Sequence, residues 1–207
     1  MGDTNGTALT VAVDVPSARV LAGQASVVAD LQFVMDCCRR LLTELSRAEE
    51  DRDGVVPLAL WSSAVVAYAR CFGPDPGSGL TAGDVQSLRL QGAVMSFHEW
   101  VMGERDKLTA APADPFQAAK IGAVLSPAAG RQRRVKGICV FAASRVLIDV
   151  TGVKQLGALA SELARQTAVK AQQQQDVVLA DTQRLDMERL YASPRLQAQP
   201  PGGEAAG

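Results

Sequence analysis

Apolar and polar positions recur with a helical period over most of the chain. From about 26 to 48 the apolar side chains fall on one stripe and the charges lie mostly opposite, which is typical of an amphipathic helix. Residues 56–72 are apolar nearly all round, and this pattern predicts a helix buried at the centre of the protein. A third helix is expected from about 85 to 108, after Thr81 and Asp84, whose spacing of three is that of a capping box.

Shorter segments carry the period of two that favours strands. Residues 8–15 alternate and are rich in valine, so a short strand is expected there. The segments "RVKGICVFAA" and "SRVLIDVTG" are β-branched and alternating, which predicts a hairpin with its turn around 142–145. Residues 153–191 form a long helical pattern with a polar middle, "KAQQQQD". The half of the helix that contains this polar segment is expected either to project into solvent or to pack on a partner.

These elements predict a mainly α protein. We expect a bundle of about four helices that carries a small antiparallel β-hairpin or sheet and a long C-terminal helix. The glycine- and proline-rich end of the chain is expected to be disordered. The predicted organisation is an N-terminal segment with a short strand over 1–24, the bundle over 25–125, the hairpin and long helix over 131–191, and a tail over 192–207.

Composition narrows the class of protein. The chain has 207 residues, 47% of them hydrophobic, and a net charge of −1, which fits a soluble globular protein and argues against a globally basic nucleic-acid binder. Neither a signal peptide nor an apolar run long enough for a membrane span is evident, so a cytoplasmic protein without membrane contact is expected. The chain has one histidine, and its four cysteines sit in apolar stretches, so we expect buried thiols and no metal site: Cys37, Cys38, Cys71 and Cys139.

One constellation on the third helix carries candidate chemistry. The sequence lacks the motifs of phosphate-binding loops, dinucleotide folds, serine hydrolases and zinc proteases, and no cofactor is expected. His98 and Arg105 are seven residues apart, so two helical turns place them on the same side. Arg105 lies near the helix C-terminus, where the macrodipole favours cations, between Glu104 and Asp106. This pattern fits a solvated last turn with a structural histidine, and it also fits a functional pair.

A second candidate is the basic segment "RQRRVK" at 131–136. Its charges are Arg131, Arg133, Arg134 and Lys136. Positive charges at the edge of a hairpin discourage pairing with other strands, which is a structural role. The same charges are also suited to contact with RNA phosphates.

Two stretches of the sequence resemble a known family. "WSSAVVAYARCFG" (61–73) and "FHEWVMGERDKLTAAPADPF" (97–116) resemble the HEPN superfamily of helical proteins, over about 25–125. The resemblance implies a bundle of four or five helices that is commonly a homodimer. It also implies relatives that are metal-independent ribonucleases of toxin–antitoxin, phage-defence or RNA-processing systems.

The family motif is an arginine followed, after four to six residues, by a histidine. Arg105 matches the arginine, Asp106 the polar residue after it and Lys107 the basic residue that follows. The motif histidine would fall at Ala111, where the sequence has alanine. The resemblance therefore implies a phosphate contact at Arg105 and an RNA contact at Lys107, with the proton-transfer group of the motif missing.

The missing histidine decides what chemistry is expected. Metal-free RNA cleavage makes the 2′-hydroxyl attack the adjacent phosphate, and it needs a group of near-neutral pKa for proton transfer. Alanine supplies none, so the chain is expected to be a poor nuclease. Three explanations stay open: a natural degenerate member that acts by binding, an enzyme in which Ala111 replaced the histidine, or His98 acting as a substitute. The alternative function is a non-catalytic interaction module with a protein partner on the C-terminal helix.

Overall fold

The computed structural model describes residues 9–48, 54–73, 79–109, 119–127, 134–142 and 148–196. Within these ranges the protein is mainly α, with six helices and a two-stranded antiparallel sheet, which confirms the predicted fold class. The elements in chain order are α1 (Pro16–Leu45), α2 (Val55–Arg70), α3 (Ala82–Gln86), α4 (Val94–Thr109), β1 (Ala119–Leu125), β2 (Val135–Ala142), α5 (Val150–Thr182) and α6 (Met187–Tyr191).

The two longest helices, α1 and α5, pack side by side in antiparallel directions. A Cβ at Gly157 would lie 3.5 Å from Cβ of Cys38, an ordinary van der Waals distance, so the two helices are in contact at this point. Further along the pair, Nε2 of Gln174 donates a hydrogen bond to the backbone carbonyl of Ser17 at 3.0 Å. The glutamine-rich part of α5 is therefore helical and packs on the first turn of α1.

Helix α2 is the centre of the core, as its apolar sequence predicts. It packs against α1 and α4, and its Trp61 and Tyr68 are among the largest fully buried side chains. The thiols of Cys38 and Cys71 are also buried, and burial raises the pKa of each to about 12. These two cysteines and Cys37 are buried in the apolar core, as expected from their neighbours in sequence.

The N-terminal strand predicted over 8–15 is wrong for the described residues. Val11 forms only an isolated bridge, with Arg195, and α1 begins at Pro16 rather than near 26. Proline at the first helical position is favourable because its missing N–H needs no partner there and its φ is already helical. From the sequence the helix start is placed near 26, because the residues just before Pro16 are assigned to a strand.

The third predicted helix is two helices. The capping box of Thr81 and Asp84 is confirmed, but the helix it starts, α3, ends after Gln86. The chain turns before α4 begins, and Gly92 in that turn has a φ of +96°, a backbone conformation that strongly favours glycine. A glycine in this conformation ends the helical path that the apolar spacing indicated.

The first strand of the predicted hairpin is confirmed as β2, but its predicted partner is wrong. β2 pairs with β1, which precedes it, and not with the segment that follows it. Residues 150–152 instead begin α5, because the Asp149 side chain accepts a hydrogen bond from the backbone N–H of Gly152 at 2.8 Å and caps the helix. Residues 144–147 of the expected second strand lie outside the described residues.

The hairpin carries an exposed apolar face. Ile121 lies opposite Val140 and Ala123 opposite Ile138, and residues that face each other across an antiparallel pair share one side of the sheet. Ile138 is 66% exposed, and Ile121 and Val140 are also exposed. Among the described residues no extensive contact joins this face to a helix. A lone two-stranded hairpin is marginally stable in water, so a partner for this face would stabilise it.

The C-terminal helix predicted over 153–191 ends earlier than expected. α5 stops at Thr182, and the short α6 follows after a turn, capped by the Asp186 side chain, which accepts a hydrogen bond from the N–H of Glu188. The tail predicted from 192 onward is ordered as far as it is described. There the N–H of Leu196 donates to the carbonyl of Thr10 at 3.0 Å.

Helix α1 is the one described helix that is long and apolar enough to cross a membrane, judged by length and composition alone. Of its most apolar window, 28% is buried within the protein. The core helix of a soluble protein meets the same test, and α1 lies against α5 along its length.

Candidate functional site

Helix α4 carries the residues that the sequence singled out, and it divides them between two faces. Its buried side chains are His98, Val101 and Glu104. Seven residues correspond to about two helical turns, so Arg105 lies on the His98 side, as the spacing predicts. Lys107 is two residues further, about 200° around the helix, and therefore points away from Arg105. Among the described residues, Arg105 and Lys107 of the motif therefore lie on different faces of α4.

The guanidinium of Arg105 is held by the neighbouring carboxylate. Its Nε and one Nη donate to Oδ1 of Asp106 at 2.8 and 2.5 Å. The Arg105 side chain is 35% exposed and that of Asp106 is 64% exposed, so solvent reaches the pair. Because Nε and Nη both donate to one oxygen atom, this guanidinium can bind an anion with two hydrogen bonds at once. An exposed pair of this kind is weak, which leaves Asp106 replaceable by a competing anion.

Lys107 is held by a different carboxylate. Its Nζ donates to Oε1 of Glu104 at 2.7 Å, and the Glu104 side chain is only 10% exposed while that of Lys107 is 72% exposed. The ammonium group has three donors, so one bond to Glu104 leaves others for a ligand from solvent. The buried carboxylate fixes where this cation lies on the surface.

His98 lies in the core between α2 and α4. It is 7% exposed, its Nδ1 shares a hydrogen bond of 2.8 Å with the hydroxyl of Tyr68, and its ring centroid lies 4.6 Å from that of Phe72. Burial lowers the pKa of His98 because it penalises the imidazolium form, and the nearby carboxylate of Glu99 only partly opposes this. The geometry favours a structural role for this histidine as a neutral ring that fixes α4 on α2.

This environment makes stability depend on pH. In the unfolded chain His98 takes up a proton near its ordinary pKa of 6.5, whereas the folded protein resists protonation to lower pH. The contribution of His98 to the free energy of unfolding is therefore expected to be constant above about pH 7 and to fall as the pH drops below 6.5, with up to one proton taken up on unfolding. Denaturant unfolding measured between pH 7 and about pH 5 checks this.

The matched control is His98→Phe, which keeps a ring and removes the titrating group. Because His98 is the only histidine of the chain, the fall between pH 7 and about pH 5.5 should disappear in this variant, even if its stability is lower throughout. An equal fall in both proteins would show that other groups cause it.

The remaining predicted site residues are only partly described. Ala111, Arg131 and Arg133 lie outside the described residues. Arg134 is exposed at the start of the β2 side of the hairpin, where its N–H donates to Oγ of Ser126 at 3.0 Å. No interaction among the described residues brings Arg134 to Arg105.

Sequence reasoning missed an aromatic residue on α4. Trp100 is 42% exposed, although its ring contacts buried Trp61 and half-buried Phe97, with centroids 5.9 and 5.5 Å away. It also missed a cavity of about 380 Å³ between the start of α4 and α5, where Phe97 is one wall. Trp100 lies off the apolar stripe of α4, and this position could have indicated from the sequence that it is exposed. The cavity has no such signal, because it depends on how α5 packs.

The part of the chain that is described holds no group of three or more His, Cys, Asp or Glu side chains placed to bind a metal ion. Comparison with models of protein families, with curated proteins and with solved structures gave no match to this chain.

Proposed function

We propose that this chain is a HEPN-like RNA-binding protein with a degenerate or inactivated ribonuclease motif, acting in the cytoplasm in a defence or toxin–antitoxin system. The observation that carries the proposal is Arg105 at the C-terminal turn of α4, with two guanidinium donors on one exposed carboxylate oxygen. The sequence resemblance assigns the phosphate contact to this same residue.

The electrostatics of Arg105 fit a phosphate contact. A guanidinium binds phosphate oxygens with two parallel hydrogen bonds, and it keeps its charge at any physiological pH. Asp106 occupies those donors in the free protein, so a phosphate of RNA would replace its carboxylate, and the displaced carboxylate, which is 64% exposed, would be left to solvent. This competition also implies a modest affinity, because part of the interaction with phosphate replaces one already made.

The test is RNA binding by Arg105→Ala. We expect its affinity for a short single-stranded RNA, measured by fluorescence anisotropy at low salt, to fall about 10-fold, since a hydrogen-bonded charge contact is worth about 1.5–3 kcal/mol. The matched control is Arg19→Ala, because Arg19 is another exposed arginine paired with an aspartate, Asp14, at 3.2 Å. Equal affinities of the two variants, or no RNA binding by the unmodified chain, would contradict the proposal.

The proposed protein is a homodimer, as the resemblance implies. A symmetric pair would place two copies of Arg105 across one cleft, where both could contact a single RNA backbone. The partial exposure of Arg105 at a helix end is compatible with such a cleft.

A second candidate function is a non-catalytic module that binds another protein. The observation in its favour is the apolar face of the hairpin, formed by Ile121, Ala123, Ile138 and Val140. Exposed apolar surface of this kind marks interaction sites in soluble proteins. If light scattering gave the mass of a complex with another protein, and the chain bound no RNA, this function would be favoured over the first.

A further inference from the structure

One stripe of α4 lies apart from Arg105. Trp100, Gly103 and Lys107 follow one another at spacings of three and four, so they line a single face of the helix. Nothing lies within 4 Å of where a side chain at Gly103 would be, so the surface between Trp100 and Lys107 is open. The helical rise puts Trp100 about 10 Å from Lys107 along the axis.

The cavity adjoins this stripe at its N-terminal end. Phe97 forms one of its walls and packs its ring against Trp100. The side chains that line it are uncharged, and Gln91 and Gln155 supply amide groups that both donate and accept hydrogen bonds. A volume of about 380 Å³ with apolar walls and a few polar groups is typical of a small-molecule site.

The cavity, the Trp100 ring and the Lys107 ammonium group each suit a different part of single-stranded RNA. Bases of single-stranded RNA stack on exposed aromatic rings, and the backbone follows cationic side chains. A neutral cavity with amide groups suits the edge of an unpaired base, and an ammonium group held on a buried carboxylate suits a phosphate. Duplex RNA keeps its bases stacked and offers neither contact.

We propose that the cavity and the Trp100–Lys107 stripe bind single-stranded RNA, with one unpaired base in the cavity, another stacked on Trp100 and a phosphate on Lys107. This inference rests on the proposed RNA-binding function and adds to it a preference for unpaired nucleotides. The site is distinct from Arg105, which faces the other side of α4.

The experiment compares a labelled single-stranded RNA of about 12 nucleotides with its own duplex, by fluorescence anisotropy against the full chain. The single strand is expected to bind more tightly. Trp100→Ala should weaken its binding about 10-fold, and Gln155→Leu about threefold to 10-fold. Trp100→Phe, which keeps an aromatic ring, should retain most of the affinity.

The matched control is Tyr191→Ala, which removes an aromatic side chain that is 68% exposed on α6. It should bind as the unmodified chain does. Because Trp100 also packs on Trp61, Lys107→Gln provides a variant that keeps the aromatic packing and an amide that can donate to Glu104. It should weaken binding of the single strand while the chain stays folded, as its circular dichroism spectrum would show.

The outcomes separate this inference from the function on which it rests. Unchanged affinity in Trp100→Ala, Gln155→Leu and Lys107→Gln, with Arg105→Ala still weakened, overturns the inference and leaves RNA binding in place. Duplex RNA bound as tightly as the single strand overturns it as well. No binding of either RNA by the unmodified chain overturns both.

Discussion

Replacing Ala111 by histidine is expected to raise the rate of metal-free RNA cleavage by about 10²–10⁴ over that of the present chain. Histidine would supply the group of near-neutral pKa that proton transfer needs, at the position where the resemblance places the motif histidine. Cleavage of a labelled RNA in the presence of a chelator, followed on a denaturing gel, measures the effect. Ala111 lies outside the described residues, so the expectation depends on sequence spacing from Arg105.

Two controls make this result specific. Ala113→His adds the same side chain beyond the four-to-six-residue spacing of the motif, and it should stay at background. The double change Ala111→His with Arg105→Ala should lose most of the gain, because the arginine stabilises the charged transition state. If Ala111→His cleaves no faster than Ala113→His, the assignment of position 111 is wrong. If it inhibits growth of the cells that produce it, a replaced histidine becomes the better explanation of Ala111.

Leu163→Ala is expected to lower the free energy of unfolding by about 2–5 kcal/mol. Leu163 has no exposed surface and is part of the core that α5 shares with α1. Truncation removes buried apolar surface and leaves a cavity, and the long antiparallel contact between α1 and α5 cannot easily collapse around it. Denaturant unfolding followed by circular dichroism measures the loss, and the slope of the transition should not change.

Leu179→Ala is the matched control, since it makes the same change on the same helix at a side chain that is 58% exposed. It should change the stability by no more than about 0.5 kcal/mol. Similar losses at both positions would mean that α5 is covered by a partner over its second half. That result would support the interaction-module function.

Sequence alone predicted the parts of the fold that depend on local pattern. The all-round apolar stretch of α2, the capping box at Thr81 and Asp84, and the strand β2 all lie where expected. Errors arose where a distant segment decided the structure. β1 has little β-branched character, and its pairing with β2 is what makes it a strand. At Gly92 the backbone leaves the path of the helix predicted from about 85 to 108, although the apolar spacing continues on both sides.

The sequence predicted the direction in which the candidate side chains point around α4, but it did not predict how deeply they are buried. Spacing placed Arg105 on the His98 side of α4, which the helix bears out. Spacing says nothing about burial, and the hydrogen bond of His98 to Tyr68 depends on how α2 packs on α4. The cavity beside Phe97 likewise needs α5, which lies more than fifty residues further along the chain.

The pairing of α1 with α5 sets the order in which the chain can fold. α1 ends at Leu45 and α5 begins at Val150, so α1 is synthesised roughly 100 residues before the helix that covers it, a delay on the order of 5–20 s. The Val11–Arg195 bridge closes later still. Contacts between such distant segments form slowly. During that delay the part of α1 that packs on α5 faces water, and transiently exposed apolar surface of this kind makes a nascent chain prone to aggregate.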